Sequence, residues 1–188
     1  MTKVAQAVSK IGTSPIWVLI WTILFGTILK NEYGFSQYDY VGILILSTWT
    51  FGVAFFLKNR FDLDNKNRKY RTYFLSIFVI GWTLFSLIYW QKFSPHIQDS
   101  LKIALTIISI VLINNVFYRI SFHVALSTSL LILINHFTGW DFFLLFIIIP
   151  VIAWSRVYLR KHTLAQVILG FLVPVIVYSF LKIIELIS

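Results

Sequence analysis

Seven apolar stretches divide the chain, at 16–29, 41–57, 73–90, 101–118, 123–135, 142–158 and 164–184, and together they hold only three charges: Lys102, Arg156 and Lys182. No water-soluble core of 188 residues can hide that much apolar sequence. Soluble domains run about 45–50% apolar and about 25% charged; here the figures are 59% and 12%. In hydrocarbon every backbone N–H and C=O must be satisfied internally, which leaves helices or closed barrels. The period-two alternation of a barrel strand is missing from all seven stretches. The expectation is therefore an all-α fold: a polytopic transmembrane helical bundle of six to seven spans, forming one integral membrane domain over 1–188.

Several details refine this reading. Gly139 and Asp141 would be costly at membrane depth, so 123–135 and 142–158 are expected as two short spans joined by a turn at 138–141. The segment 1–15, with Lys3 and Lys10, resembles a signal-peptide n-region but has no clean small-residue cleavage site; a retained span is expected to follow it. Tyr73, Tyr89, Trp90, Tyr118, Trp140 and Trp154 stand at stretch ends, as interfacial aromatics do. The absence of Cys removes disulfides, thiolate metal sites and a Cys nucleophile.

The formal charge is +9. On a soluble chain that would suggest nucleic acid, but this chain has too little polar surface, and no nucleic-acid partner is expected. Seven crossings put the N-terminus and the loops 58–72, 119–122 and 155–163 on one side. That side gathers twelve Lys and Arg against Asp62 and Asp64, whereas the other holds Lys30, Lys92, Lys102 and Lys182 against five carboxylates. The positive-inside rule makes the basic side cytoplasmic. The expectation is an integral protein of the plasma (inner) membrane, with its N-terminus and site loops in the cytoplasm.

The chemistry-bearing residues fall on that basic side. Ser155 and Arg156 precede His162, and Gln166 and Gly170 follow at intervals of four. Ser121 and His123 begin the fifth stretch, and Lys66, Arg68 and Arg71 lie before the third. These residues resemble the type 2 phosphatidic acid phosphatase superfamily of membrane histidine phosphatases over roughly 58–175. Ser155, Arg156 and His162 match its S-R-x5-H-x3-D motif, with Gln166 at the Asp position. Ser121 and His123 match two positions of its P-S-G-H motif, where Ile120 and Phe122 differ. Its K-x6-R-P motif has only Lys66, Arg68 and Arg71 as nearest equivalents.

The resemblance implies roles. His162 is the nucleophile and His123 the general acid. Arg156, Ser121, Arg71, Arg68 and Lys66 bind the phosphoryl oxygens, and Gln166 accepts the His162 ring N–H without the charge an Asp would bring. The implied activity is hydrolysis of a phospholipid or polyprenyl (di)phosphate through a phosphohistidine, in phospholipid metabolism. The partners are the phosphorylated lipid and the bilayer, and no cofactor or metal is implied. The alternative is a relative that binds lipid phosphate, or serves structurally, without turnover.

The physical chemistry agrees. A phosphoryl group in transfer spreads charge over its equatorial oxygens, so catalysis is mostly positioning and electrostatics. Arg supplies a planar bidentate fork for such oxygens. One His as nucleophile and a second as acid complete a sufficient set. Elsewhere, Asn114 and Asn115 within an apolar stretch are expected to bridge helices. Asp62 and Asp64 are expected to pair with neighbouring cations. His96 and His136 are read as interface residues rather than metal ligands.

Overall fold

The computed structural model describes residues 1–11, 36–57 and 68–187. The stretch 16–29, the loop holding Asp62 and Asp64, and Lys66 lie outside the described residues. Seven α-helices are described: α1 (Thr2–Ile11), α2 (Gln37–Leu57), α3 (Arg68–Tyr89), α4 (Pro95–Phe117), α5 (Phe122–Phe137), α6 (Ile148–Tyr158) and α7 (Leu164–Ile183). Two short 3-10 segments, Trp90–Lys92 and Phe143–Ile147, complete the order. Among the described residues there is no strand, so the all-α expectation holds. Two helices, α4 and α7, are long and apolar enough to cross a membrane.

The expected turn at 138–141 is present, and Gly139 and Trp140 take it through positive φ of 59° and 71°. The stretch 142–158, read as one span, is divided in two. Pro150 lacks an N–H and sits in the first turn of α6, where no intrahelical bond is lost; Pro174 by contrast lies inside α7. The five residues ahead of α6 wind as 3-10 helix. At 1.5 Å per residue, the eleven residues of α6 reach only about 16 Å.

Large apolar side chains also cover the outside of the bundle. On α3, Tyr73, Ile77, Ile80, Leu84 and Leu87 face outward; on α7, Leu164, Ile168, Leu172, Ile176, Phe180 and Ile183 do. Each set recurs at three- and four-residue steps, which is one face of a helix. The interior carries Asp39, Asp99, Asn115, Ser121, Thr128, Asn135 and Arg156 alongside its aliphatic core. Two aliphatic clusters hold the bundle. One, around Leu75, Ile103, Ile107 and Ile132, joins α3, α4 and α5. The other, around Val124, Leu131, Ile152 and Val167, joins α5, α6 and α7.

Long-range hydrogen bonds sort the helix termini into two ends. At one, Asn115 near the end of α4 donates through Nδ2 to Thr72 Oγ1 near the start of α3, at 2.8 Å. That bears out the bridging role expected of Asn115; Asn114 instead bonds back to Ile110 O within its own helix. At the other end, the Ser94 N–H before α4 donates to Asp39 Oδ1 in the first turn of α2, at 2.9 Å. There too Lys102 pairs with Asp99 and donates to Leu186 O, and His136 meets the Tyr178 hydroxyl at 3.2 Å. His96 and His136 both lie edge-on to Phe137. Among the described residues no group of three or more His, Asp or Glu is placed to hold a metal ion.

Asp39 anchors the far end. It is fully buried and accepts from the Ser36 N–H at 2.8 Å, the Ser36 hydroxyl at 3.0 Å and the Ser94 N–H. Bonds to a charged acceptor are worth about 1.5–3 kcal/mol each, and orphaned buried donors cost more than the bond they lose. Asp39→Ala is therefore expected to lower stability by about 2–4 kcal/mol. Thermal unfolding in detergent, followed by circular dichroism, measures it, and Asp39→Asn should recover part of the loss.

Candidate functional site

The terminus of α6 shapes the first half of the site. Arg156 lies in the last turn, and its carbonyl accepts the N–H groups of Lys161 at 3.0 Å and His162 at 3.3 Å. Arg160 takes the left-handed conformation needed to turn the chain, with φ of 54°. This closure makes the five-residue spacing between Arg156 and His162 meaningful: a helix ends, reverses, and presents the imidazole beside the residue six positions earlier. Thr163 then caps α7, accepting the Gln166 N–H at 3.3 Å, while the Gln166 side chain accepts the Thr163 N–H at 3.1 Å. This reciprocal pair is a capping box.

Gln166 serves His162 as well. Its Oε1 lies 3.0 Å from His162 Nδ1. That oxygen already accepts a backbone N–H, so the orientation of the amide is set and Nδ1 must be the donor. His162 is thereby held with its proton on Nδ1 and a lone pair on Nε2. The ring is largely buried.

The second half arrives on α5. Ser121 is the N-cap of α5, and its N–H donates to the Gln166 carbonyl at 3.0 Å. One residue of α7 therefore holds both motifs, its carbonyl gripping Ser121 and its amide oxygen gripping His162. His123 follows in the first turn of α5 and is buried. The Ser121 hydroxyl is also buried and has no hydrogen-bond partner among the described residues. Phe122, between Ser121 and His123, is partly buried. It lines an interior cavity of about 110 Å³ with Leu46, Leu75, Ile107 and Leu133.

Gly170 lets the halves approach. A Cβ there would lie 2.7 Å from the Ser121 carbonyl oxygen and 3.3 Å from Val124 Cβ. The carbonyl is backbone and is itself held by the Ala125 N–H, so it cannot give way.

Arg156 is completely buried, and its Nη1 donates to Ser9 Oγ on α1 at 2.7 Å. Sequence reasoning missed this contact, because 147 residues separate the partners and nothing in α1 belongs to a motif. Arg68 and Arg71 stand in the first turn of α3, and Thr72 next to them is tied to α4 at this same end. Their side chains, like Lys66, lie outside the description. The four described carboxylates, Asp39, Asp99, Asp141 and Glu185, belong to the opposite helix ends.

An apolar groove of about 650 Å³ runs from this junction along α5, α6 and α7. It begins at Val124, Ala153 and Val167, close in sequence to His123, Arg156 and Gln166, and reaches Trp140 and Tyr178. Between Leu164 and Ser179 on α7 it covers roughly 22 Å, more than the ~15 Å of one leaflet.

No protein-family model, curated protein or solved structure matches the chain.

Three substitutions probe how the site is built. Gly170→Ala is expected to destabilise by about 1–3 kcal/mol through overpacking, outweighing the ~1 kcal/mol by which Ala is the better helix former. Arg160→Gly should be neutral or slightly stabilising, because Gly adopts positive φ freely, whereas Arg160→Val should destabilise. Thermal unfolding in detergent reads all three.

Proposed function

We propose that this chain is a membrane-embedded phosphatase acting on a phosphorylated lipid through a phosphohistidine intermediate. The observation that carries the reading is the junction at Gln166, where the Ser121–His123 and Arg156–His162 segments meet. The bilayer setting is supported by the two long apolar helices, by the outward apolar stripes and by the polar interior. In this reading the bundle crosses the membrane six to seven times. The site end faces the cytoplasm of a plasma (inner) membrane, following the basic loops.

The chemistry proceeds in two steps. His162 Nε2, its lone pair exposed by the Nδ1–H bond to Gln166, attacks phosphorus in line with the leaving oxygen. The bond from phosphorus to that oxygen breaks, and His123 supplies its proton. Water, giving a proton to His123, then displaces the imidazole and releases inorganic phosphate. Arg156 and the Ser121 hydroxyl balance the charge on the equatorial oxygens, assisted by Arg68, Arg71 and Lys66. The acyl or prenyl chain lies in the groove along α7, with the phosphate at its Val167 end.

Gln166 orients His162 but brings no negative charge to stabilise the imidazolium that forms. A carboxylate at this position stabilises that cation in hydrolytic triads. The enzyme is therefore expected to be slow, and this observation favours the second reading, a relative that binds lipid phosphate without turnover.

The test is phosphate release by purified protein in detergent given phosphatidic acid or farnesyl diphosphate. His162→Ala and His123→Ala should each lower release by a factor of about 100 or more. Robust release from His162→Ala refutes the nucleophile. Lipid-phosphate binding without release supports the second reading. Gln166→Asp should keep or raise the rate, and EDTA should leave it unchanged.

A further inference from the structure

The N-terminal helix is seated where the proposed substrate's charge must go. Arg156 is fully buried, and its Nη1 donates to the Ser9 hydroxyl, itself 94% buried. α1 docks along α6 through a face on which Ala5 and Ser9, four residues apart, are buried. Thr2, Lys3, Val4, Gln6 and Ala7 are exposed. A ten-residue helix is marginal on its own, so α1 depends on this docking or on some other surface.

A phosphate oxygen and the Ser9 hydroxyl compete for the same guanidinium hydrogen. The competition is unequal. A phosphate brings an opposite charge that the hydroxyl lacks, and Arg–phosphate pairs are commonly bidentate, so the phosphate is the stronger partner. The released helix is suited to the bilayer surface. It carries exposed Met1 and Val4, and its sequence has Lys3 and Lys10 with no acidic residue. Basic amphipathic segments of this kind settle on anionic interfaces.

We propose that α1 is an autoinhibitory lid: its Ser9 hydroxyl holds Arg156 in the resting protein, and a phosphate monoester arriving at Arg156 displaces it and undocks the helix. The purpose of the lid rests on the lipid-phosphate reading above, but its docking and release can be measured without turnover. By linkage, the closed lid lowers apparent affinity for the phosphate in proportion to the open fraction, and weakening the lid strengthens phosphate binding.

The chain has no native Cys, so one introduced thiol reports the lid. Ala5→Cys places that thiol on the docked face with Ser9 intact, and Thr2→Cys places it on the exposed one. Full-length variants are labelled with a maleimide in phosphatidylcholine nanodiscs. Further samples receive inorganic phosphate, phosphatidic acid, or phosphatidylglycerol as an anionic diester. The expected result is slow labelling at position 5 in phosphatidylcholine, at least tenfold below position 2. Labelling at position 5 should accelerate with phosphatidic acid. Acceleration by inorganic phosphate as well identifies the phosphate group as sufficient; acceleration by phosphatidic acid alone requires the lipid form of the monoester. Equal acceleration by phosphatidylglycerol overturns the competition, because surface charge alone would then open the lid. Labelling at position 5 as fast as at position 2 in phosphatidylcholine overturns the docking.

Turnover supplies a separate arm. Ser9→Ala should lower KM by roughly tenfold or more, the factor one hydrogen bond to a charged group is worth, with kcat held. Ser9→Asp, which places a carboxylate against Arg156, should raise KM. Unchanged KM in both variants overturns the lid. Monoester-dependent labelling in a protein that releases no phosphate leaves the lid standing and removes the phosphatase reading.

Discussion

The backbone carbonyl of Gln166 is the interaction on which the site end depends. By accepting the Ser121 N–H it fastens the start of α5 to the first turn of α7, and every proposed catalytic group is placed relative to that bond. His123 is two residues beyond one partner, and His162 is one turn before the other. The bond survives because Gly170, one turn further along α7, has no side chain to hold the helices apart. A carbonyl in a first helical turn would ordinarily accept from the residue four ahead. Here that residue is Gly170, and the second lone pair of the same oxygen serves the neighbouring helix.

Burying Arg156 is the second constraint. A guanidinium cannot lose its proton, so removal from water must be offset by partners. The fold supplies Ser9 from the most distant part of the chain. It also places the described carboxylates, Asp39 and Asp99 among them, at the other end of the bundle. Among the described residues the acids gather at the end where α2 and α4 begin, and the end where α5 and α7 begin keeps a cation in a low-dielectric interior. There a dianion is attracted more strongly than it would be at a wet surface.

Much of this was legible in the sequence, for reasons that can be stated. The existence of α2, α3, α4, α5 and α7 follows from long apolar runs, although α2, α3 and α4 begin at Gln37, Arg68 and Pro95, before their runs do; the turn at 138–141 follows from the cost of Gly139 and Asp141 in hydrocarbon. The bridging role of Asn115 follows from an amide in an apolar helix. What was not legible depended on contacts remote in sequence or on geometry within one turn. Ser9 is an ordinary residue until α1 packs against α6. The direction of Phe122, into the interior cavity, is decided by how α5 rotates against its neighbours. The division of the 142–158 stretch into a 3-10 segment and the short α6, with Pro150 in its first turn, was hidden by uninterrupted hydrophobicity. The side chains of Arg68 and Arg71, and Lys66 as a whole, fall outside what the structure describes.

The two polar contacts that hold the proposed chemistry share one property, which is that both are neutral. Gln166 fixes the His162 ring through a carbonyl, and Ser9 meets Arg156 through a hydroxyl. Replacing either by a carboxylate would strengthen its own contact, yet it would add a negative charge at the end where a phosphate must bind. These two contacts orient the imidazole and the guanidinium while adding no charge of their own. Neither contact weakens the attraction for an anion, and neither supports a cationic imidazole as the reaction proceeds. Those consequences act on different steps, the first on capture of the lipid phosphate and the second on phosphoryl transfer. A chain built this way is weighted towards holding its anion rather than turning it over quickly, which gives a displaceable helix over the guanidinium a physical purpose.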